Sequence, residues 1–146
     1  MGLKRPESVL VVIFSEQGRV LMLQREDDPE FWQSVTGTME IGETPIQTAY
    51  REIAEELGVV LDVKKGQIKD CQQTNQYKIR DCWLHRYPKG TTKNTEHVFS
   101  VCIPEQSPIV LTEHLDYLWL SKEEAIALAW SQTNKAAIKA YAIGQQ

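Results

Sequence analysis

The apolar positions begin as two short aliphatic runs, residues 9–14 and 19–25, separated by Ser15-Glu16-Gln17-Gly18. That polar tetrapeptide has the composition of a tight loop, so the chain opens as strand, hairpin, strand. Residues 31–35 form another short strand candidate, closed by Gly37. The spacing then becomes helical. Thr44, Pro45 and Gln47 read as N-cap, first helical residue and capping-box partner, and Gly58 as the left-handed stop, which predicts a helix over residues 45–57. Ile46, Ala49, Tyr50, Ile53 and Leu57 share one arc of that helix and form its core face. Strand composition returns at residues 68–74, 77–86 and 96–103, and more briefly at 118–120. Ser121 with Glu124 makes a second capping box, opening a helix to about residue 130, and residues 133–143 carry a third helical pattern. Helices and strands in this irregular alternation predict a layered α/β sandwich on a mixed sheet.

Composition narrows the function more than the fold. At 146 residues, 42% apolar and 25% charged, the chain is expected to form one domain, residues 1–146, with no repeat or linker. A net charge of −4 leaves no generally basic face, so nucleic acid is not an expected partner. An anionic ligand would need a local reversal of sign, and a divalent cation is the commonest way to supply it. Cys71, Cys82 and Cys102 are odd in number and lack a Cys-x-x-Cys pair, so reduced core thiols are expected rather than disulfides or a zinc site. The run at 9–14 that follows Lys4 and Arg5 is too short for a secretory leader, and no segment is long enough to span a bilayer. A cytoplasmic protein without a membrane partner is the expectation.

The chemistry gathers on the polar side of the central helix. Glu52, Glu55 and Glu56, at i, i+3 and i+4, converge there, at a cost of roughly 0.2–0.5 kcal/mol for each like-charge pair. Carboxylate oxygens grouped this way suit Mg2+ or Mn2+. Taken alone, an acidic helix face is usually just solvated. The frame around this one is more specific. From Gly37 the chain reads Gly37, five residues, Glu43, seven residues, Arg51-Glu52-Ile53, one residue, Glu55-Glu56, one residue, Gly58-Val59. This resembles the box of the Nudix hydrolases at every specified position. The resemblance implies an α/β/α sandwich with a mixed central sheet, and metal-dependent hydrolysis of a diphosphate linkage. It assigns Glu52, Glu55 and Glu56 to the metals and to catalysis, and places a backbone oxygen near the metal at Gly37. Glu113, in a late loop, takes the place of the extra carboxylate that many members use as metal ligand or base. Glu43 and Arg51 are expected to be a structural pair, since a charged fork holds geometry well. His85, His97 and His114 are scattered singly and receive no role.

Segments outside the box are also similar to one branch of that family, the bacterial enzymes that release pyrophosphate from dihydroneopterin triphosphate in folate synthesis. These include residues 4–6, 20–25, 27–29, 31–37, 94–96 and 112–115, with Trp119 and Leu120. The implied substrate needs cations beside its phosphates, for which Lys4 and Arg25 are candidates and Thr36 follows from the resemblance. It also needs a flat stacking face, which Trp32, Tyr77, Trp83, Tyr87 or Trp130 can supply. Alternatives within the family are a nucleoside triphosphate or a dinucleoside polyphosphate; Tyr77, 18 residues past Val59, speaks for the latter. Outside enzymology, the fold can serve as a nucleotide-binding module without turnover. The sequence is silent on oligomeric state.

Overall fold

Two strands, β1 (Glu7–Phe14) and β2 (Arg19–Arg25), start as a hairpin and then part. In the computed structural model, which describes residues 3–143, they pair only at Phe14↔Val20. The wedge between them is filled by residues 32–38. Their first half, β3 (Trp32–Gln33), pairs with β2, and their second half, β4 (Val35–Thr38), pairs antiparallel with β1 from Val11 back to Ser8. On its other edge β1 runs parallel to β6 (Lys93–Cys102), which in turn pairs antiparallel with β5 (Lys69–Lys78). β7 (His114–Ser121) closes the far side against β2. The sheet is therefore mixed, as expected.

Both faces of the sheet are covered. Val9, Val11 and Ile13 of β1 and Leu21 and Leu23 of β2 point to one side, where Ala49, Ile53 and Leu57 of α1 (Pro45–Leu57) meet them. Leu10, Val12, Val20 and Met22 point to the other, against Ala125 and Ala129 near α2 (Lys122–Leu128) and Ala137 and Ile138 of α3 (Gln132–Tyr141). Period-two alternation on buried strands thus builds two apolar layers, the α/β/α sandwich. Among the described residues no helix is long and apolar enough to cross a membrane.

α1 begins and ends where its caps require. The Thr44 side chain accepts from Gln47 N, Gln47 answers to Thr44 N, and Gly58 turns left-handed at φ +70. Other boundaries differ from the sequence pattern. Residues 77–86 do not form a strand: β5 runs on to Lys78, and Asp81–Arg86 is a 3-10 turn. The aromatic content that reads as strand there serves a cavity wall instead. β5 itself is polar throughout, held by main-chain pairing to β6 and bulged between Asp70 and Gln73. Gly37 lies inside β4 rather than closing a strand. The cysteines are unpaired, as expected, but they are not core residues: Cys82 and Cys102 are exposed and Cys71 is half-buried.

Candidate active site

The site is built from α1 upward. Ile53 and Leu57 pin the helix by its apolar face, which carries Glu52 and Glu56 toward the sheet at β4; their residues are only 8% and 2% exposed. Glu52 can lie there because residue 37 is glycine. A Cβ at position 37 would sit 1.9 Å from Glu52 Oε2 and 2.1 Å from its Cδ. The close approach, not a turn, explains this glycine. Gly37→Ala is accordingly expected to push the Glu52 carboxylate out of place, lowering kcat/KM by at least roughly 10-fold with a smaller effect on Tm. Unchanged kinetics in that variant would show that the position of Glu52 is immaterial.

Arg51 anchors the loop before the helix. Its Nε and one terminal nitrogen donate to the two oxygens of Glu43 at 2.6 and 2.8 Å, and the same terminal nitrogen donates to Thr38 O at 3.0 Å. Its other terminal nitrogen donates to Glu52 Oε1 at 2.5 Å and Glu55 Oε2 at 3.1 Å. Glu43 also accepts from Thr48 Oγ1 and from Glu40 N. The Arg51 hydrogen bonds hold the Glu43 carboxyl down at about 2. The expected structural pair is present, and it positions Glu52 as well.

Burial raises the Glu52 and Glu56 carboxyls, and Glu56 rises well above the usual range because Glu52 and Glu113 add like charge to its desolvation. Protonation is therefore favoured on this buried pair when no cation is near. Oε1 of Glu56 is buried without a hydrogen-bond partner, 3.8 Å from Nε2 of His114. The His114 side chain is only 7% exposed, with Nδ1 unpartnered, and burial and Arg25 lower its pKa. The sequence assigned His114 no role, yet it adjoins the most buried carboxylate. Glu113 is exposed at the mouth of the same cavity. Its loop is tied to the end of α1 by Val110 N donating to Leu57 O and Thr112 Oγ1 donating to Glu55 O.

A divalent ion fits this donor set. An orphaned carboxylate oxygen, two buried carboxyls under mutual repulsion and a glycine cradle are what a hard cation would relieve. Among the described residues no three acidic or histidine side chains form a closed metal cage. Glu55 is not brought into the cavity: its side chain is 55% exposed and engaged by Arg51.

The cavity, about 980 Å3, joins Glu52, Glu56, Glu113 and Gly37 to a cationic and aromatic wall. Lys4, Arg25 and Thr36, the candidates for phosphate binding, all line it. Lys4 N donates to Arg86 O, which ties the N-terminal segment to the 3-10 turn. Arg25 is held bidentate by Asp27, donates to Gln33 Oε1, and lies 5.0 Å from the Trp83 ring centre. Of the five aromatic candidates, Tyr77, Trp83, Tyr87 and Trp130 line the cavity, whereas Trp32 packs at the α2/α3 core. Trp130 stacks on Phe31 at 4.7 Å and meets Trp83 edge-on at 6.0 Å. Arg80 and Arg86, which sequence reasoning did not single out, lie over the Trp83 ring. The signal was present as a basic and aromatic run, but its strand-like composition concealed it. His85 and His97 are not in the cavity wall; His97 pairs with Glu7.

Known proteins are similar to this chain over nearly its whole length. A NUDIX domain matches residues 4–141. The chain is 48% identical to dihydroneopterin triphosphate diphosphatase of Escherichia coli, over 96% of this chain and 94% of the relative. It is 42% identical to the enzyme of the same name from Haemophilus influenzae, over 97% and 90%. The solved structure of the E. coli dihydroneopterin triphosphate pyrophosphohydrolase superposes with a TM-score of 0.88, covering 98% of this chain and 99% of that one. A Caenorhabditis elegans Ap4A hydrolase complex, at 20% identity and a TM-score of 0.69 over 91% and 92%, shares the fold.

Proposed function

The chain belongs to the Nudix family, and from that membership we propose that it hydrolyses dihydroneopterin triphosphate to the monophosphate and pyrophosphate. It acts as a single domain, in folate biosynthesis and in the cytoplasm, with Mg2+ as its resident ion and Mn2+ as a substitute. One observation carries the reading: a single cavity joins buried carboxylates, five cationic residues (Lys4, Arg25, Lys78, Arg80 and Arg86) and two indoles, Trp83 and Trp130. Triphosphate and flat ring thus find complementary walls in one place. The two relatives named for this substrate match almost end to end.

Glu52, Glu56 and Glu113 would hold the ion, with Gly37 beside them and Glu55 adding charge from outside the cavity. When bound, such an ion neutralises phosphate charge and acidifies a water for attack on phosphorus. The protein's own part is positioning and proton handling. Lys4, Arg25 and Thr36 orient the triphosphate, and Arg86 adds positive charge beside Lys4. Arg51 fixes Glu52 from behind. Glu113 at the mouth accepts the proton of the attacking water. Proton and cation compete for the buried Glu52 and Glu56 carboxyls, whose pKa values burial raises, so turnover should rise with pH as they ionise.

The test is a panel of Mg2+-supported reactions, with dihydroneopterin triphosphate, the common nucleoside triphosphates and diadenosine tetraphosphate, reading pyrophosphate and kcat/KM. The pterin should exceed every nucleotide by roughly 10-fold or more, and chelation should stop all turnover. A nucleotide turned over as well or better would overturn the substrate while leaving the metal-dependent hydrolysis in place.

A further inference from the structure

Apart from the acidic cluster, the cavity contains a third buried carboxylate that phosphate chemistry does not use. Glu96 lies on β6, on the face that meets α2 and α3, and is 4% exposed yet lines the cavity. Its carboxylate accepts one hydrogen bond, from Asn75 Nδ2 to Oε1 at 3.3 Å, and Thr133 lies close enough to favour the anion. A carboxylate has about four acceptor positions, so most of its capacity is left for a ligand. Two residues along the strand, Asn94 is 2% exposed and also lines the cavity. Both its N–H groups are spent, on Ser8 Oγ at 2.7 Å and on the Tyr77 hydroxyl at 3.1 Å, which leaves its carbonyl oxygen as an acceptor. Thr133, which touches Glu96, comes three residues after Trp130, and both line the cavity. The stacking face and these acceptors are therefore joined by one short stretch of chain. Burial pushes the Glu96 carboxyl up, as befits an anion that its surroundings under-compensate.

We infer that Glu96, assisted by Asn94, is the specificity-determining residue of this cavity and reads the 2-amino-4-oxo-pyrimidine edge of the substrate ring. That edge presents a ring N–H and an exocyclic amino group side by side, two donors that match the two oxygens of one carboxylate. Pterin and guanine rings share it. Adenine offers a ring-nitrogen lone pair in the equivalent place, which would face the carboxylate and be repelled. Hypoxanthine keeps the ring N–H but lacks the amino group. The inference rests on the proposed function only in taking this cavity as the substrate site; it identifies the part of the ring that is recognised.

The experiment measures kcat/KM with Mg2+ for dihydroneopterin triphosphate, GTP, ITP and ATP, in the wild-type protein and in Glu96→Gln and Glu96→Asp, with thermal unfolding as the check on folding. GTP should exceed ITP by roughly 10- to 100-fold in the wild type, and Glu96→Gln should erase that ratio. Dihydroneopterin triphosphate should fall by a similar factor in the variant, while ATP changes little. Glu96→Asp keeps the charge and withdraws the oxygens by one methylene, so the ratio should fall part-way even if the Gln variant does not fold. A GTP to ITP ratio near one in the wild type, or a ratio that either folded variant leaves untouched, overturns the inference. If the pterin is not turned over but the GTP to ITP ratio still depends on Glu96, the pterin reading falls and the edge reading stands. If the pterin is preferred irrespective of Glu96, the reverse holds.

Discussion

Glu56→Gln is expected to lower metal-dependent kcat by about 10^3-fold or more and, in chelator, to raise the melting temperature. Both effects come from the same burial. Glu56 is 2% exposed, its Oε1 has no hydrogen-bond partner, and Glu52 and Glu113 add like charge. A carboxyl whose folded-state pKa is raised favours the fold fully below its unfolded value near 4.5. That contribution is lost as pH rises through the higher folded value, when the unfolded chain ionises freely and the folded one cannot. At neutral pH the metal-free protein therefore carries a destabilising carboxyl. The neutral amide has almost the same shape and no charge to desolvate, so removing it should return about 1 kcal/mol, a few degrees in Tm. The same exchange removes an oxygen ligand that a cation would need as an anion. Adding Mg2+ should stabilise the wild type and leave the variant nearly unmoved. Thermal unfolding at pH 5, 7 and 8.5, with and without Mg2+, separates the effects. Equal Tm in chelator at pH 8.5, or equal Mg2+ stabilisation of both proteins, would contradict the account.

What could be read in advance depended on how local the signals were. α1 was legible to the residue because Thr44, Gln47 and Gly58 act within one turn of its ends, and because Ile46, Ala49, Tyr50, Ile53 and Leu57 share an arc set by helical geometry alone. The Arg51 and Glu43 pair was legible from spacing once the loop before the helix was recognised. Tertiary proximity was not. His114 meets Glu56 across 58 positions of sequence, and nothing near His114 announces it. Gly37 looked like a break, whereas its meaning is an approach by Glu52 from fifteen residues away. The wall at Asp81–Arg86 had the aromatic composition of a strand, and only the sheet, already complete through β5 and β6, decides otherwise. Glu96 read as one charged residue in a strand. Its burial and its place in the cavity follow from which face of β6 it occupies and from Thr133 packed beside it.

Arg51→Ala should damage the fold itself, and its effect should fade in acid. The side chain is 22% exposed and neutralises Glu43, Glu52 and Glu55 together, while donating to Thr38 O at 3.0 Å. Its removal leaves three carboxylates facing one another and the loop before α1 untied, a loss of about 3 kcal/mol. For a chain of this length that is roughly 6–12 °C in Tm. Arg51→Lys should recover only part of this, because an ammonium cannot span both Glu43 oxygens and the Glu52 carboxylate at once. The pH dependence follows from Glu43, held down at about 2 against an ordinary 4.5. A lowered carboxyl contributes stability that is complete above its unfolded value and lost as pH falls through the folded one. The gap between wild type and Arg51→Ala should accordingly be full at pH 7 and shrink between about pH 4.5 and pH 2. Urea midpoints at pH 7 and pH 3 measure it. A gap of constant size would assign the loss to packing of the guanidinium rather than to its charge. The kinetic consequence is separate: with Arg51 gone, Glu52 loses the donor that orients it. kcat should then fall more than KM rises even at temperatures where the variant remains folded.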